Sequence, residues 1–286
     1  MGLLGAHISI AQGIHHVWER GDELGCEAIQ VFVQSSRTWV IPPLDLAEVE
    51  RFHEARKRAK QVKRIVAHNS YLLNLTTTQV EAREKSVRYF IETMNRCEAL
   101  GIESLITHPG SHLGAGLDAG IKMTSQSLNA VLKATRGFKT KVVLENTAGQ
   151  GDCIGSQFEE LKKIVEGTED PDRIFFCFDT QHAFAAGYDL RTAEGYEQTL
   201  ENWNKQLSLK KIVAFHLNDA KKELGCRVDR HESLGKGHLG KTVFRCLVND
   251  RRFGQTPMCL ETDPGEANQN WKQELKLLRS LVDKNL

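Results

Sequence analysis

The chain has 286 residues, 40% of them hydrophobic, and a formal net charge of +1. That length can bury a large core, and the near-neutral balance argues against a purely basic nucleic-acid-binding module while allowing a locally positive groove. Its apolar stretches are too short to span a bilayer, and the start, Met1-Gly2-Leu3-Leu4-Gly5-Ala6-His7, reads neither as a secretory signal nor, with Ala6, as a good myristoylation site.

Short apolar runs alternate with longer amphipathic stretches. The first two runs are Leu3–Ile10 and Ala28–Gln34, followed by a charged helical pattern over Leu46–Val62. The run Arg64–Asn69 precedes a predicted helix over Val80–Leu100, in which Val87, Phe90, Ile91, Met94 and Leu100 form a stripe and Gly101 supplies the C-cap. Ser104–His108 leads into a helix over Ile121–Thr135, and Lys141–Glu145 into one over Ser156–Glu166. Ile174–Asp179 is followed by Thr192–Leu207, Lys211–His216 by Lys241–Asp250, and Pro257–Glu261 by Glu266–Val282. Runs apolar on both faces fit parallel strands covered on each side. About eight strand–helix units imply one (β/α)8 barrel domain over residues 1–286, with a doubly wound sheet as the competing architecture.

Six of these runs end in a histidine or a carboxylate: His68, His108, Glu145, Asp179, His216 and Glu261. In a parallel barrel all C-terminal strand ends share one mouth, where barrel enzymes place their chemistry. One histidine at a strand end is most simply a hydrogen-bonded structural residue. Six such residues converging is another matter, because carboxylates crowd together unfavourably unless cations neutralise them. Three loop residues extend the set: His182, three positions after Asp179, and the alternating pair Asp229 and His231. Imidazole with carboxylate suits zinc first, then manganese or iron, and nine donors suffice for up to three ions.

Two other motifs invite over-reading. Gly235-Lys236-Gly237-His238-Leu239-Gly240-Lys241-Thr242 fits the phosphate-loop pattern, but no buried strand precedes it. A Gly-rich turn is the simpler reading, with its backbone N–H groups still able to meet a nucleic-acid phosphate. The basic stretch Arg56–Arg64 reads as a solvated helix end whose charge suits the helix dipole. The seven cysteines are dispersed with no Cys-x-x-Cys pair, which predicts buried thiols in a reducing compartment.

Several long motifs resemble the endonuclease IV family. They are His108-Pro109-Gly110-Ser111-His112, Glu145-Asn146-Thr147-Ala148-Gly149-Gln150-Gly151 and Asp179-Thr180-Gln181-His182-Ala183-Phe184-Ala185-Ala186-Gly187-Tyr188-Asp189, then His216-Leu217-Asn218-Asp219-Ala220-Lys221, Arg227-Val228-Asp229-Arg230-His231 and Ser233-Leu234-Gly235-Lys236-Gly237. The likeness runs from Gly5-Ala6-His7 to Glu261-Thr262.

The resemblance implies a zinc-dependent barrel enzyme of base excision repair that cuts double-stranded DNA 5′ to abasic sites, trims blocked 3′ ends, and works as a cytoplasmic monomer. It implies three Zn2+ ions, with Mn2+ or Fe2+ as substitutes in some sites. His68, His108 and Glu145 would hold the first. Glu145 would bridge to a second, shared with Asp179, His216 and Glu261, and His182, Asp229 and His231 would hold the third. Glu145 would also serve catalysis by orienting the attacking water. Arg37, Tyr71 and Leu72 correspond to the side chains that enter the duplex at the lesion. Gln181, Asn69, Glu232 and Lys236 depart from the residues common in relatives, and none is among the implied ligands. Two alternatives remain at this level: a metal-dependent sugar isomerase on the same barrel, and a non-catalytic DNA-binding or damage-sensing protein.

Overall fold

A computed structural model describes residues 1–283. Eight parallel strands close into a barrel: β1 (Leu3–His7), β2 (Ala28–Val31), β3 (Arg64–His68), β4 (Ser104–Thr107), β5 (Lys141–Glu145), β6 (Ile174–Asp179), β7 (Ile212–Leu217) and β10 (Pro257–Leu260). Each strand pairs with the next in sequence. β10 pairs with both β7 and β1, which closes the ring and removes the doubly wound alternative. Between β7 and β10 lies a two-stranded antiparallel ribbon, β8 (Asp219–Ala220) with β9 (His231–Glu232).

The outer layer comprises α1 (Val17–Leu24), α2 (Leu46–Arg58), α3 (Val80–Leu100), α4 (Leu117–Ala134), α5 (Phe158–Glu166), α7 (Ala193–Gln206), α8 (Thr242–Asn249) and α9 (Gln269–Ser280). A further short helix, α6 (Thr180–Ala186), follows directly on β6. The ends obey local chemistry. Asp45 caps α2 by accepting from the Ala47 N–H at 2.9 Å, Thr192 caps α7 by accepting from the Gly195 N–H at 3.0 Å, and α3 stops at Gly101 in the left-handed region.

Most expected elements lie within a few residues of their observed ends. The predicted runs Leu3–Ile10 and Ala28–Gln34 overshoot β1 and β2, because the following apolar residues pack in loops and not in the sheet. Helix α4 begins earlier than expected, and α9 starts only at Gln269 after a tight turn. Among the described residues, α1, α6, the β8–β9 ribbon and short 3-10 turns such as Ile14–His16 and Pro171–Arg173 have no counterpart in the sequence reading. All are eight residues or shorter, so their apolar period hardly repeats.

The alternation of the strands separates two cores. Outward side chains meet the helices, as where Phe176 and Phe178 pack on Trp203. Inward side chains Val66, Ile106, Val143, Cys177 and Ala214 fill the barrel, with Leu3, Ala28 and Cys259 completing the ring. Side chains in a strand repeat every second residue. One step of two towards the mouth from that apolar layer reaches Gly5, Gln30, His68, His108, Glu145, Asp179, His216 and Glu261.

Candidate metal centre

Six of the nine donors sit at their strand ends as the sequence suggests. His68, Glu145 and Asp179 are the last residues of β3, β5 and β6; His216 is the penultimate residue of β7; His108 and Glu261 follow β4 and β10 directly. His182 arrives through a strand-to-helix turn. The Asp179 carboxylate accepts from the His182 N–H at 2.8 Å as the N-cap of α6, so one turn later His182 faces the same mouth. Asp229 and His231 come from the ribbon region, where the Asp229 N–H donates to Gln150 Oε1 at 2.9 Å and Gln181 Nε2 donates to the Val228 carbonyl at 2.9 Å.

The fully buried Glu145 carboxylate is the centre of the array. His68 Nε2 and His108 Nε2 lie 3.0 and 3.2 Å from its Oε2; His216 Nδ1 and His182 Nδ1 lie 2.9 and 3.1 Å from its Oε1. Four groups of donor atoms are compact enough for a single cation each, every atom within 4.8 Å of the others in its group: His68, His108 and Glu145; Glu145, Asp179, His216 and Glu261; Glu145, Cys177 and His216, which overlaps the second; and Asp179, His182 and His231. Asp229 joins the last group, with its two oxygens 3.3 Å from His182 Nε2 and 3.3 Å from His231 Nε2.

The rings are anchored from behind. His68 Nδ1 meets the Asn69 carbonyl at 2.7 Å, His182 Nδ1 meets the Asn146 carbonyl at 2.9 Å, and His216 Nε2 meets Gln30 Oε1 at 2.7 Å. Such back-side bonds fix the tautomer and ring plane of metal-binding histidines. The carboxylates are held too. Asn218 Nδ2 donates to Asp179 Oδ2 at 2.7 Å, and Asn146 spans Asp179 by accepting from its N–H and donating to its carbonyl.

The electrostatics show the strain of the arrangement. Burial alone pushes Glu145 up, yet the charges of His216 and His108 and hydrogen bonds from His108 and His182 hold it well below the usual carboxylate range. Asp179 goes the other way: burial raises it, Glu145 adds like-charge repulsion, and the neighbouring histidines do not offset the two. Burial lowers His182 and His216, but Asp179, Asp229 and Glu145 carry His182, and Cys177, Glu145 and Glu261 carry His216, well above the usual imidazole value. The carboxylates therefore draw protons onto the rings, which is the place a cation would take.

The residues present fit divalent cations on a second count. The buried Nε2 atoms of His182 and His231 have no hydrogen-bond partner although both face Asp229. Buried imidazole nitrogens are costly to leave unpaired, and a cation among Asp179, Asp229 and the two rings would satisfy both.

Above the array opens a cleft of about 240 Å³, walled by His68, His108, Tyr71, Leu72, Cys153 and Asp229 among others. Tyr71 is 67% exposed at its rim, a costly place for a large ring without a partner. Arg37 is exposed on the β2–α2 loop and does not line the cleft, but its loop is tied to that of Tyr71. The four departures lie around the donors. Gln181 pins the Asp229 loop, Asn69 is buried beside His68, Glu232 accepts from the Ser233 N–H, and Lys236 is exposed.

The sequence reading missed Asn146, Asn218, Gln30 and Asp219. Asn146 and Asn218 had a signal, each lying within two residues of a donor at a strand end. Asp219 corrects the expectation for the Gly-rich turn. Its carboxylate accepts from the N–H groups of Ala220, Gly235, Gly237 and Leu239 at 2.7 to 3.0 Å, so those donors are unavailable to a phosphate. Gly237 is required there, because a Cβ would stand 2.4 Å from the Ala220 carbonyl oxygen.

All seven cysteines are free; Cys26, Cys97, Cys177 and Cys259 are buried as expected, but Cys153 is exposed and Cys226 and Cys246 are half-buried. No helix among the described residues is long and apolar enough to cross a membrane.

Comparison with known proteins agrees with this fold. A family model described as a xylose isomerase-like TIM barrel matches residues 18–281. A protein of Geobacter sp. (strain M21) described as "Probable endonuclease 4" is 44% identical over 283 residues, covering 99% of this chain and all of that protein. The crystal structure of endonuclease IV from Thermus thermophilus superposes with a TM-score of 0.86 at 32% identity over 98% of each chain. A D-tagatose 3-epimerase-like protein also superposes, with a TM-score of 0.75 over 98% of this chain and 96% of its own, but at 18% identity it shares the fold alone. The chain belongs to the endonuclease IV family of (β/α)8-barrel endonucleases.

Proposed function

We propose that the protein is a zinc-dependent endonuclease that incises double-stranded DNA 5′ to abasic sites in base excision repair and also removes 3′ blocking groups. The observation that carries this reading is the crowding of nine imidazole and carboxylate side chains into three cation-sized groups directly beneath a cleft edged by Tyr71 and Leu72. Full-length likeness to endonuclease 4 proteins supports it, while the sugar-epimerase likeness carries no argument beyond the barrel.

His68, His108 and Glu145 would hold one ion, Glu145, Asp179, His216 and Glu261 a second, and His182, Asp229 and His231 a third. Asp179 is close enough to the last group to serve it as well. Bound there, the ions would supply Lewis acidity towards the phosphodiester and acidify a water for in-line attack.

The chain's own residues do the rest. Glu145 presents one oxygen to each side of the array and so sets the spacing of the groups around it. It also stands where it can orient the water that attacks phosphorus. An abasic nucleotide has no base to unstack, so turning it out of the duplex costs less than flipping an intact one. Tyr71 and Leu72 fill the gap left in the stack, and Arg37 holds the duplex beside it. The products are a 3′-hydroxyl and a 5′ deoxyribose phosphate.

We read the whole chain as one catalytic domain that acts as a monomer in the cytoplasm; seven free cysteines support a reducing setting. The deciding experiment incubates the purified protein with a synthetic abasic duplex before and after chelation. We expect incision 5′ to the lesion, its loss on chelation, its return with zinc, and three zinc ions per chain by elemental analysis. Undiminished cutting by the metal-stripped protein would overturn the scheme, as would ketose–aldose exchange in place of incision.

A further inference from the structure

The mouth layer of the barrel contains one side chain that is neither histidine nor carboxylate. Gln30 stands two residues beyond Ala28 on β2 and faces His7 across the β1–β2 register. It is fully buried. A carboxamide carries two donors and two acceptor lone pairs, so its burial is costly unless they are used.

All its partners are at the site. Gln30 Oε1 lies 2.7 Å from His216 Nε2, and Gln30 Nε2 lies 2.6 Å from Glu261 Oε1 and 2.9 Å from His7 Nδ1. The direction of these bonds follows from chemistry. An ionised Glu261 only accepts, so the amide nitrogen must face it and the amide oxygen must face His216. His216 Nε2 therefore carries the hydrogen that Gln30 accepts. In the neutral ring the other nitrogen then has its lone pair free. That atom, Nδ1, lies 2.9 Å from Glu145 Oε1, 3.2 Å from Glu261 Oε2 and 3.7 Å from Asp179 Oδ2.

We propose that Gln30 is a positioning residue of the metal centre: its carboxamide selects the His216 tautomer that turns Nδ1 towards the carboxylates, and the same group holds Glu261 by one oxygen and leaves the other facing His216. The inference rests on reading this cluster as a cation site. His68 and His182 obtain the same service from backbone carbonyls, whereas His216 depends on a side chain from a strand that supplies no ligand. The strand pair at β1 and β2 thus takes part in the centre without touching the ion.

Three measurements test this: zinc affinity, histidine nitrogen NMR and steady-state incision of an abasic duplex. Zinc is titrated into the metal-stripped full-length protein against a chromophoric chelator, for the wild type and for Gln30→Leu and Gln30→Glu. Nitrogen NMR of the histidine-labelled, zinc-loaded wild type and Gln30→Glu proteins then reads which ring nitrogen of His216 is coordinated. We expect Gln30→Leu to bind one zinc about 10- to 100-fold more weakly, the usual effect of removing a group behind a ligand. The fall in incision should lie in kcat, with KM for the duplex unchanged. Gln30→Glu, which keeps an oxygen for His216 but sets a charge against Glu261, should still coordinate through Nδ1. The wild-type spectrum should show His216 bound through Nδ1 and protonated at Nε2.

Unchanged zinc affinity in a folded Gln30→Leu protein overturns the inference. Should that variant fail to fold, coordination of wild-type His216 through Nε2 overturns it independently. A wild type that takes up no zinc at all is a distinct result, which removes the metal-centre reading and this inference with it.

Discussion

The Ser70 hydroxyl donates to the Ser36 carbonyl oxygen at 2.7 Å, and this bond joins the loop that carries Tyr71 and Leu72 to the loop that carries Arg37. The same hydroxyl oxygen accepts from the Leu72 N–H at 3.2 Å. From the other side, α3 holds the Arg37 loop: the Tyr89 hydroxyl donates to the Ser35 carbonyl at 3.0 Å, and Arg96 reaches the Pro42 carbonyl. The proposed DNA-facing side chains thus ride on loops braced against each other and against a helix.

Ser70→Ala should loosen both loops without disturbing the donors below. The variant loses both bonds, each worth about 1 kcal/mol, or roughly 5- to 30-fold in affinity between them. Steady-state incision of an abasic duplex should show a KM raised by about that factor, with kcat nearly constant. A fall confined to kcat would place Ser70 in the chemistry and not in binding.

Glu145→Gln removes the charge that four histidines face. Incision should fall by about a thousandfold or more, as for removal of a central charge-stabilising group, and bound zinc should drop in parallel. Glu261→Ala should behave alike, since its carboxylate belongs to the group built on His216. Single-turnover assays with elemental analysis check both; near-normal cutting by either would contradict the assigned ligand sets.

Asp219→Ala would leave four backbone donors without their acceptor. Two of these donors, on Ala220 and Leu239, are buried, where an unmatched N–H costs about 1–3 kcal/mol, so a loss of several kcal/mol is expected, with water able to reach the half-buried Gly235 and Gly237. The ribbon that brings His231 to the mouth begins at this residue. Denaturant unfolding should show the loss of stability, and zinc content should fall by one ion per chain.

Glu48 gives a pH prediction away from the metal centre. Burial raises it, but hydrogen bonds from His15 and Arg51 outweigh burial and hold it at about 2, against 4.5 for the free group. A carboxylate whose folded value is depressed stabilises the fold above its unfolded value and loses that contribution as pH falls towards the folded one. Glu48→Gln should therefore cost about 1 kcal/mol at neutral pH, because solvent screens a pair whose arginine is half exposed. The gap between wild type and variant should close as pH falls from 4.5 towards 2. Thermal melts across that range test the sign; a gap that widens in acid would refute it.

The barrel was legible because its strands announce themselves twice, by short apolar runs and by the polar residue that ends them. Val142-Val143-Leu144 before Glu145 and Phe176-Cys177-Phe178 before Asp179 carry both marks. The elements that escaped lacked a repeating period. Helix α6 is seven residues long and is capped by the strand's own last residue, and each strand of the β8–β9 ribbon has only two residues. The Gly-rich stretch is a turn, as its sequence suggests, but the target of its donors was not legible: glycine spacing states that backbone donors converge, but not on what, and here they converge on Asp219.

By itself the sequence determined the chemistry at the strand ends, because side-chain type is fixed residue by residue and the period of two carries the inner face of each strand to its last position. It could not determine which nitrogen of each imidazole faces inwards, nor that Gln30 and Asn218 brace the donors. Those depend on pairings such as Gln30 with Glu261, 231 positions apart, which exist only once β10 closes the ring beside β1. Distance in sequence carries no hydrogen-bond direction; the closed barrel supplies it by confining acceptors and donors to one buried layer, where each must find its complement.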